Sequence, residues 1–491
     1  MTDGAMAPGL SGSASDPEMH VRTVESARFV GGQVPDLAEF DQWYDECGKQ
    51  NYTEVERVPL EDLAGWRTDP VTGNIGHHSG KFFTVQGLDV RLPGAAVPAW
   101  TQPIINQPEV GILGILVKEF DGVLHCLMQA KVEPGNANGV QLSPTVQATR
   151  SNYTGVHKGK AVPYLEYFRD RDRPHRMIAD VRQSEQGAWF HRKRNRNMII
   201  EVFEPVEVLD GFCWLTIGQV HELLQVEDLI NMDARTVLAC LPFAGAQPAD
   251  TTSGLDGFRA ALMRSCEGGR GSRHSMGDIL AWITDARTQY DDVHATMIPL
   301  DQVRGWRRNP EAIWHETGAF FRVIGVNVRA GGREVGQWMQ PMIEPLGIGL
   351  VAVLVKRIDG VLHVLMHARV EAGYLDVIEL GPTVQCTPEN YDHLTPAARP
   401  PFLDEVLATS PDQIRYDTVL SEEGGRFYHA RNRYLVVETN RDVPLQQYPD
   451  YRWMTLSQLG ELLRHSHYVN IQARSLIACL HSLWSKQAVL A

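Results

Sequence analysis

Apolar and polar positions along the chain change period several times, and the whole pattern then occurs again. Residues 37–47 and 276–286 place apolar side chains three and four apart, which predicts one amphipathic helix near the start of each pattern. LEDLAGWRTDP and LDQVRGWRRNP follow, each read as a short helix closed before a proline. Residues 82–90, 110–119 and 123–132 are strand-like runs, and Asp121-Gly122 between the last two predicts a tight hairpin turn. Asp359-Gly360 repeats that turn. Residues 197–208 predict another strand. Each pattern ends in a helix pair, LTIGQVHELLQ with MDARTVLACL and LSQLGELLR with IQARSLIACL, for which Thr216 and Thr455 are candidate N-caps.

The recurrence is a duplication at an offset of 238 residues, without a gap from His77/His315 to Tyr153/Tyr391. Lys118 to Ala130 matches Lys356 to Ala368 at nine of thirteen positions, and Pro144 to Thr149 matches Pro382 to Thr387 at five of six. A period this long copies a whole domain rather than a solenoid repeat. The expected organisation is a disordered segment over 1–35, a first repeat over 36–243, a linker over 244–273 and a second repeat over 274–491. The fold class is α+β, each repeat a curved mixed or antiparallel sheet flanked by helices.

Composition narrows the function. The net charge of -14 argues against a nucleic-acid partner. The apolar runs 110–117 and 346–355 are too short to span a bilayer, and the first twenty residues lack a signal-peptide pattern, so a cytoplasmic protein with no membrane partner is expected. Seven cysteines without a CxxC argue against a disulfide framework or zinc site. His77-His78 becomes His315-Glu316 in the second copy with no third ligand in view, so no metal site is expected.

The chemistry concentrates after the third strand. QAKVEPGNANGVQLSPTVQATRSNYT (129–154) and HARVEAGYLDVIELGPTVQCTPENYD (367–392) share a cation (Lys131/Arg369), a carboxylate (Glu133/Glu371), Gln147/Gln385, Thr149/Thr387 and Asn152-Tyr153/Asn390-Tyr391. Alternation puts Lys131 and Glu133 on one strand face, either as a surface ion pair or as part of a pocket; their place in a polar cluster in both copies favours the pocket. HRKRNRN (191–197) is either a solvated basic turn or a phosphate cradle built on Arg192, Arg194 and Arg196, with Arg431 and Arg433 as partners in the second copy. Trp66 and Trp306, each in a GWR, are core anchors or nucleobase platforms.

QAKVEPGNANGVQLSPTVQATRSNYT, QSEQGAWFHRKRNRNMIIEV and LINMDARTVLACLP closely resemble the NDP-hexose 2,3-dehydratases of deoxysugar biosynthesis, over about residues 36–485 and including the doubling. The resemblance implies a Nudix-like fold in each half, a homodimer, no cofactor, and a dTDP-4-keto-6-deoxyglucose substrate that loses its C2 hydroxyl. A C3 ketoreductase would act on the product, on the way to a sugar that decorates a natural product. The glutamate-rich REXXEEXG-like helix of Nudix hydrolases is missing from both copies, which sets an NDP-sugar pyrophosphohydrolase behind the lyase; a non-catalytic nucleotide-sugar binder is the other alternative. The roles expected on this reading are Glu133 as base, Lys131 or Tyr153 as donor to the C4 oxygen, and His157 as acid. Trp66 covers the thymine, and Arg150 joins the 192–196 run at the phosphates. Gln147, Thr149, Ser151, Asn152 and Tyr153 complete the first pocket; Trp306, Arg369, Glu371, Gln385, Thr387, Asn390, Tyr391, Arg431 and Arg433 make up a second. The copies differ at Arg150/Pro388, Lys193/Ala430 and the PGNAN/AGYLD loop, so chemistry is expected in the first pocket and a binding or structural role in the second.

Overall fold

The computed structural model describes residues 17–149, 161–170, 173–243, 257–269, 271–290, 293–331 and 335–484. It is α+β, with two repeated, sheet-rich halves. In the first half, Gly111–Phe120 and Val123–Val132 form the hairpin expected at Asp121-Gly122, where both residues take positive φ (50° and 81°). That conformation matches the twist of the flanking strands. Phe212–Thr216 pairs with Val123–Val132, and Arg194–Val202 runs parallel to Gly111–Phe120, so the sheet is mixed. His175–Ser184 and two short strands, Val140–Ser143 and Val146–Ala148, complete seven strands. The second half repeats this sheet.

Thr216 and Thr455 cap the helices Ile217–Leu223 and Leu456–Leu463, each in a reciprocal capping box with a glutamine three residues on. Met232–Leu238 and Ile471–Ser482 pack together between the halves. Their arginines, Arg235 and Arg474, are fully buried. Arg235 donates to Ser421 O and Arg474 to Ser184 O, both at 2.6 Å, so each guanidinium satisfies a carbonyl of the opposite half. One apolar cluster runs through both halves, from Ile115 and Val237 to Val353 and Ile477.

The halves also exchange strands. Thr53–Val58, from the first half, pairs antiparallel with Phe321–Ala330 of the second, and His294–Ile298 pairs with Thr84–Arg91 of the first. At Gly325 an added Cβ would lie 2.6 Å from Val58 O, so only glycine admits the incoming strand there.

Several expectations change. Helix Pro17–Ser26 occupies part of the segment expected to be disordered. Its Met19, Val24 and Ala27 are buried, and Ser26 Oγ donates to Leu124 O at 2.6 Å. Helix Gly257–Cys266 fills the matching part of the expected linker. The Gly-, Ala- and Ser-rich stretches around them masked both helices, which pack on Val123–Val132 and Val361–Val370. LEDLAGW and LDQVRGW form only the three-residue 3₁₀ turns Leu60–Asp62 and Leu300–Gln302, and each tryptophan begins a strand. The strand expected over 197–208 is Arg194–Val202. No helix among the described residues is long and apolar enough to cross a membrane.

Candidate active site

A cavity of about 560 Å³ opens beside the Lys131–Glu133 strand end of the first half, within the range of roughly 300–1,000 Å³ usual for small-molecule sites. Lys131, Glu133, Gln147 and Thr149 all line it, so the structure brings this expected group together. Gln147 is the organiser. Its Nε2 donates to Glu133 Oε1 at 2.8 Å, its main-chain O accepts from Lys131 Nζ at 3.2 Å, and its Oε1 accepts from the N-capping Asn231 at 3.1 Å. Trp66 is a second expected member. Its indole donates to Met339 O of the other half at 2.7 Å, and its ring packs on Phe83 and His77.

The basic run behaves differently. Along Arg194–Val202 side chains alternate between faces. Lys193 and Asn195 enter the cavity; Arg192, Arg194 and Arg196 are not among its lining residues. Arg196 is held by Asp180 in a bidentate pair at 2.6 and 2.5 Å, as Arg433 is by Asp417 at 2.7 and 2.6 Å. Arg192 is exposed at a positive-φ turn, and Arg431 pairs with Glu227 and Asp228. Neighbours in the run therefore lie on opposite sides of the strand and do not form one cationic cradle. Arg150, Ser151, Asn152, Tyr153 and His157 lie outside the described residues.

The cavity holds residues that the sequence reading did not select. Glu185 and Asp233 come from the first half; Glu423 and Arg426 come from the second. Glu423 and Arg426 arrive because a loop of the second half docks on Glu133–Gly135. Gly135 N donates to Gly424 O at 2.7 Å, and a Cβ on Gly135 would sit 1.8 Å from Phe427 O. Glu423 accepts from the backbone N–H groups of Gly425 and Arg426 at 3.0 and 2.8 Å. A signal existed in the shared SEQG/SEEG wording and in the change of NMDAR to NIQAR between copies.

Burial sets the electrostatics. It pushes the Glu423 carboxyl up to about 7; Arg426 opposes the shift, and Glu133 and Glu185 add to it. Burial likewise raises Asp233 well above the ordinary carboxyl range, reinforced by Glu185 and Glu133. Glu185 is raised by burial against the pull of Arg474 and Lys193. Burial lowers the Lys193 ammonium to about 8, with Glu185 holding it up. One cavity thus contains carboxyl groups that hold protons near neutral pH beside cations, the arrangement that proton transfer requires.

At the matching place in the second half, Arg369 Nε donates to Glu371 Oε1 at 2.8 Å, and Gln385 donates to the same oxygen at 2.9 Å. Tyr374 replaces Asn136 and is buried, and Ala430 replaces Lys193. Asn390 Oδ1 accepts from Phe320 N–H, and Tyr391 and Thr387 are half-buried. Trp306 mirrors Trp66, its indole donating to Thr101 O at 2.9 Å.

The sequence profile of the NDP-hexose 2,3-dehydratases matches residues 37–241 and again 276–480. The chain belongs to that family. It is 53% identical over 466 residues to a dTDP-4-dehydro-6-deoxy-alpha-D-glucopyranose 2,3-dehydratase of Saccharopolyspora spinosa, covering 94% of this chain and 95% of the relative. Relatives with the same description from Amycolatopsis orientalis and Streptomyces violaceoruber are 49% and 48% identical; the matches cover 90% and 92% of this chain and 89% and 98% of those proteins. In this NDP-hexose 2,3-dehydratase family member, buried carboxyl groups and cations line one cavity.

Proposed function

We propose that the chain removes water across C2 and C3 of dTDP-4-keto-6-deoxy-D-glucose, giving dTDP-3,4-diketo-2,6-dideoxyglucose. The observation that carries this reading is the cavity itself, in which buried carboxyl groups of raised proton affinity surround Glu133 and two lysines. The C4 ketone acidifies the C3 proton. Glu133 takes that proton, and Lys131 and Lys193 stabilise charge developing on the C4 oxygen, as oxyanion-hole donors do. The C2–O bond then breaks as a proton reaches the leaving hydroxyl. The enol formed at C2–C3 relaxes to the 3-ketone, so C3 is oxidised within the elimination. Trp66 lies against the thymine. Arg426, with Arg150, binds the diphosphate in place of Arg192, Arg194 and Arg196.

Each half has a Nudix-like fold in this reading, the protein works as a homodimer in the cytoplasm, and a 3-ketoreductase consumes the product. The second half's Arg369–Glu371 site has a binding or structural role. The test is incubation with dTDP-4-keto-6-deoxyglucose and a C3 ketoreductase, with and without EDTA, followed by mass spectrometry. The expected result is loss of water in both arms. Metal-dependent release of a nucleoside monophosphate, or tight binding without turnover, would replace the lyase by a hydrolase or a binder.

A further inference from the structure

The halves place different chemistry around one matched buried carboxylate. In the second half that carboxylate is Glu422. Its Oε2 accepts from Gln186 Nε2 at 2.7 Å and from Gln472 Nε2 at 3.5 Å; its Oε1 accepts from Asn432 and Tyr434, each at 2.7 Å. Every lone pair faces a donor. In the first half Glu185 takes the same place and accepts from Asn195 at 2.7 Å. The residues matching Gln186 and Gln472 are there Glu423 and Asp233. Two amide donors have become two carboxyl groups.

The consequence is a set of acceptors facing acceptors. Glu185 Oε2 and Asp233 Oδ1 are buried and have no hydrogen-bond partner among the described residues. Carboxylates held together out of water cannot all ionise, and a retained proton turns one acceptor into a donor. We propose that Glu185, Asp233 and Glu423 hold a proton in common, and that this cluster, assembled from both halves, is the general acid that delivers it to the C2 hydroxyl. The raised proton affinities of all three agree with this. The groups facing the cluster are Glu133, Glu422, Lys131, Lys193, Arg426 and Arg474.

The inference rests on the dehydratase reading, and the proton count closes on it. Glu133 takes the C3 proton, the C2–O bond breaks, and the cluster's proton leaves with the hydroxyl as water. The enol then tautomerises: C2 receives the proton held on Glu133, and the O3 proton returns to the cluster. Both groups regain their starting states without an outside acid or base.

The substitutions that test this are Glu423→Gln and Asp233→Asn, which install the amide chemistry that the second half already buries. In deuterated buffer with dTDP-4-keto-6-deoxyglucose, each variant is expected to lose about 10²–10⁴-fold in water release while still exchanging the C3 proton for deuterium. Glu133→Gln is expected to lose both. Water release at the wild-type rate in Glu423→Gln and Asp233→Asn, or equal loss of exchange and release, overturns the inference. Should neither variant fold, the wild-type chain still decides. Its water release is expected to fall as pH rises through about 7 while C3 exchange falls only through about 8, where Lys193 loses its proton, and coincident profiles overturn the inference. A wild-type chain that releases no water at any pH defeats the dehydratase reading instead.

Discussion

The segments after Val132 and Val370 descend from one sequence and occupy matched places, yet their side chains are partnered differently. In the second half the cation and carboxylate are paired with each other, Arg369 with Glu371, and a buried Tyr374 stands where the first half has Asn136. In the first half the same positions face a cavity that the other half completes with Glu423 and Arg426. The lesson is that duplication did not yield two equivalent sites. Strand exchange made each half part of the other's walls, and different side chains gave the matched walls different chemistry.

Four experiments probe that contrast. The largest effect is expected from Lys193→Ala, which gives the first pocket the alanine of the second. Turnover should fall by about 10²–10³-fold, as for removal of one oxyanion donor. Because burial lowers this ammonium to about 8, wild-type turnover should also decline as pH rises through that value. Undiminished kcat would return the chemistry to an open question between the halves.

Arg369→Ala should act on stability. It leaves Glu371, whose side chain is 3% exposed, without its cation, at a cost of about 3 kcal/mol in denaturant unfolding. A change below about 1 kcal/mol would mean that solvent screens the pair.

Glu423→Gln should move stability the other way. The folded chain raises this carboxyl from 4.5 to about 7, so its stabilising contribution is full below 4.5 and lost as pH rises through 7. The amide does not titrate. The variant should therefore match wild type near the lower value and exceed it by on the order of 3 kcal/mol at pH 8. Equal unfolding curves at both pH values would show that the carboxyl groups around Glu185 are no more crowded than the amides around Glu422. The smallest effect is expected at Trp66→Ala, with nucleotide affinity reduced about tenfold, the lower end for one lost stacking contact; titration with dTDP measures it.

Much of this was legible without coordinates. The two-residue period of Val123–Val132 and the Asp-Gly turns gave the central hairpins, and the threonine caps marked the helix starts. The chemistry of Lys131, Glu133, Gln147 and Thr149 showed in their shared wording. The aromatic position of Trp66 was visible, though not its strand.

What the chain determines by itself is local and periodic: which segments pair, which ends are capped, which positions carry acid, base or cation, and that the whole is written twice. Only the tertiary structure decided that Thr53–Val58 crosses to the second half, that Arg194 and Arg196 turn away from Lys193, and that Glu423 reaches Glu133. The physical reason is separation. Glu133 and Glu423 meet through backbone bonds between Gly135 and Gly424, residues with hundreds of positions between them, and no local period encodes a contact made only when two folded surfaces dock.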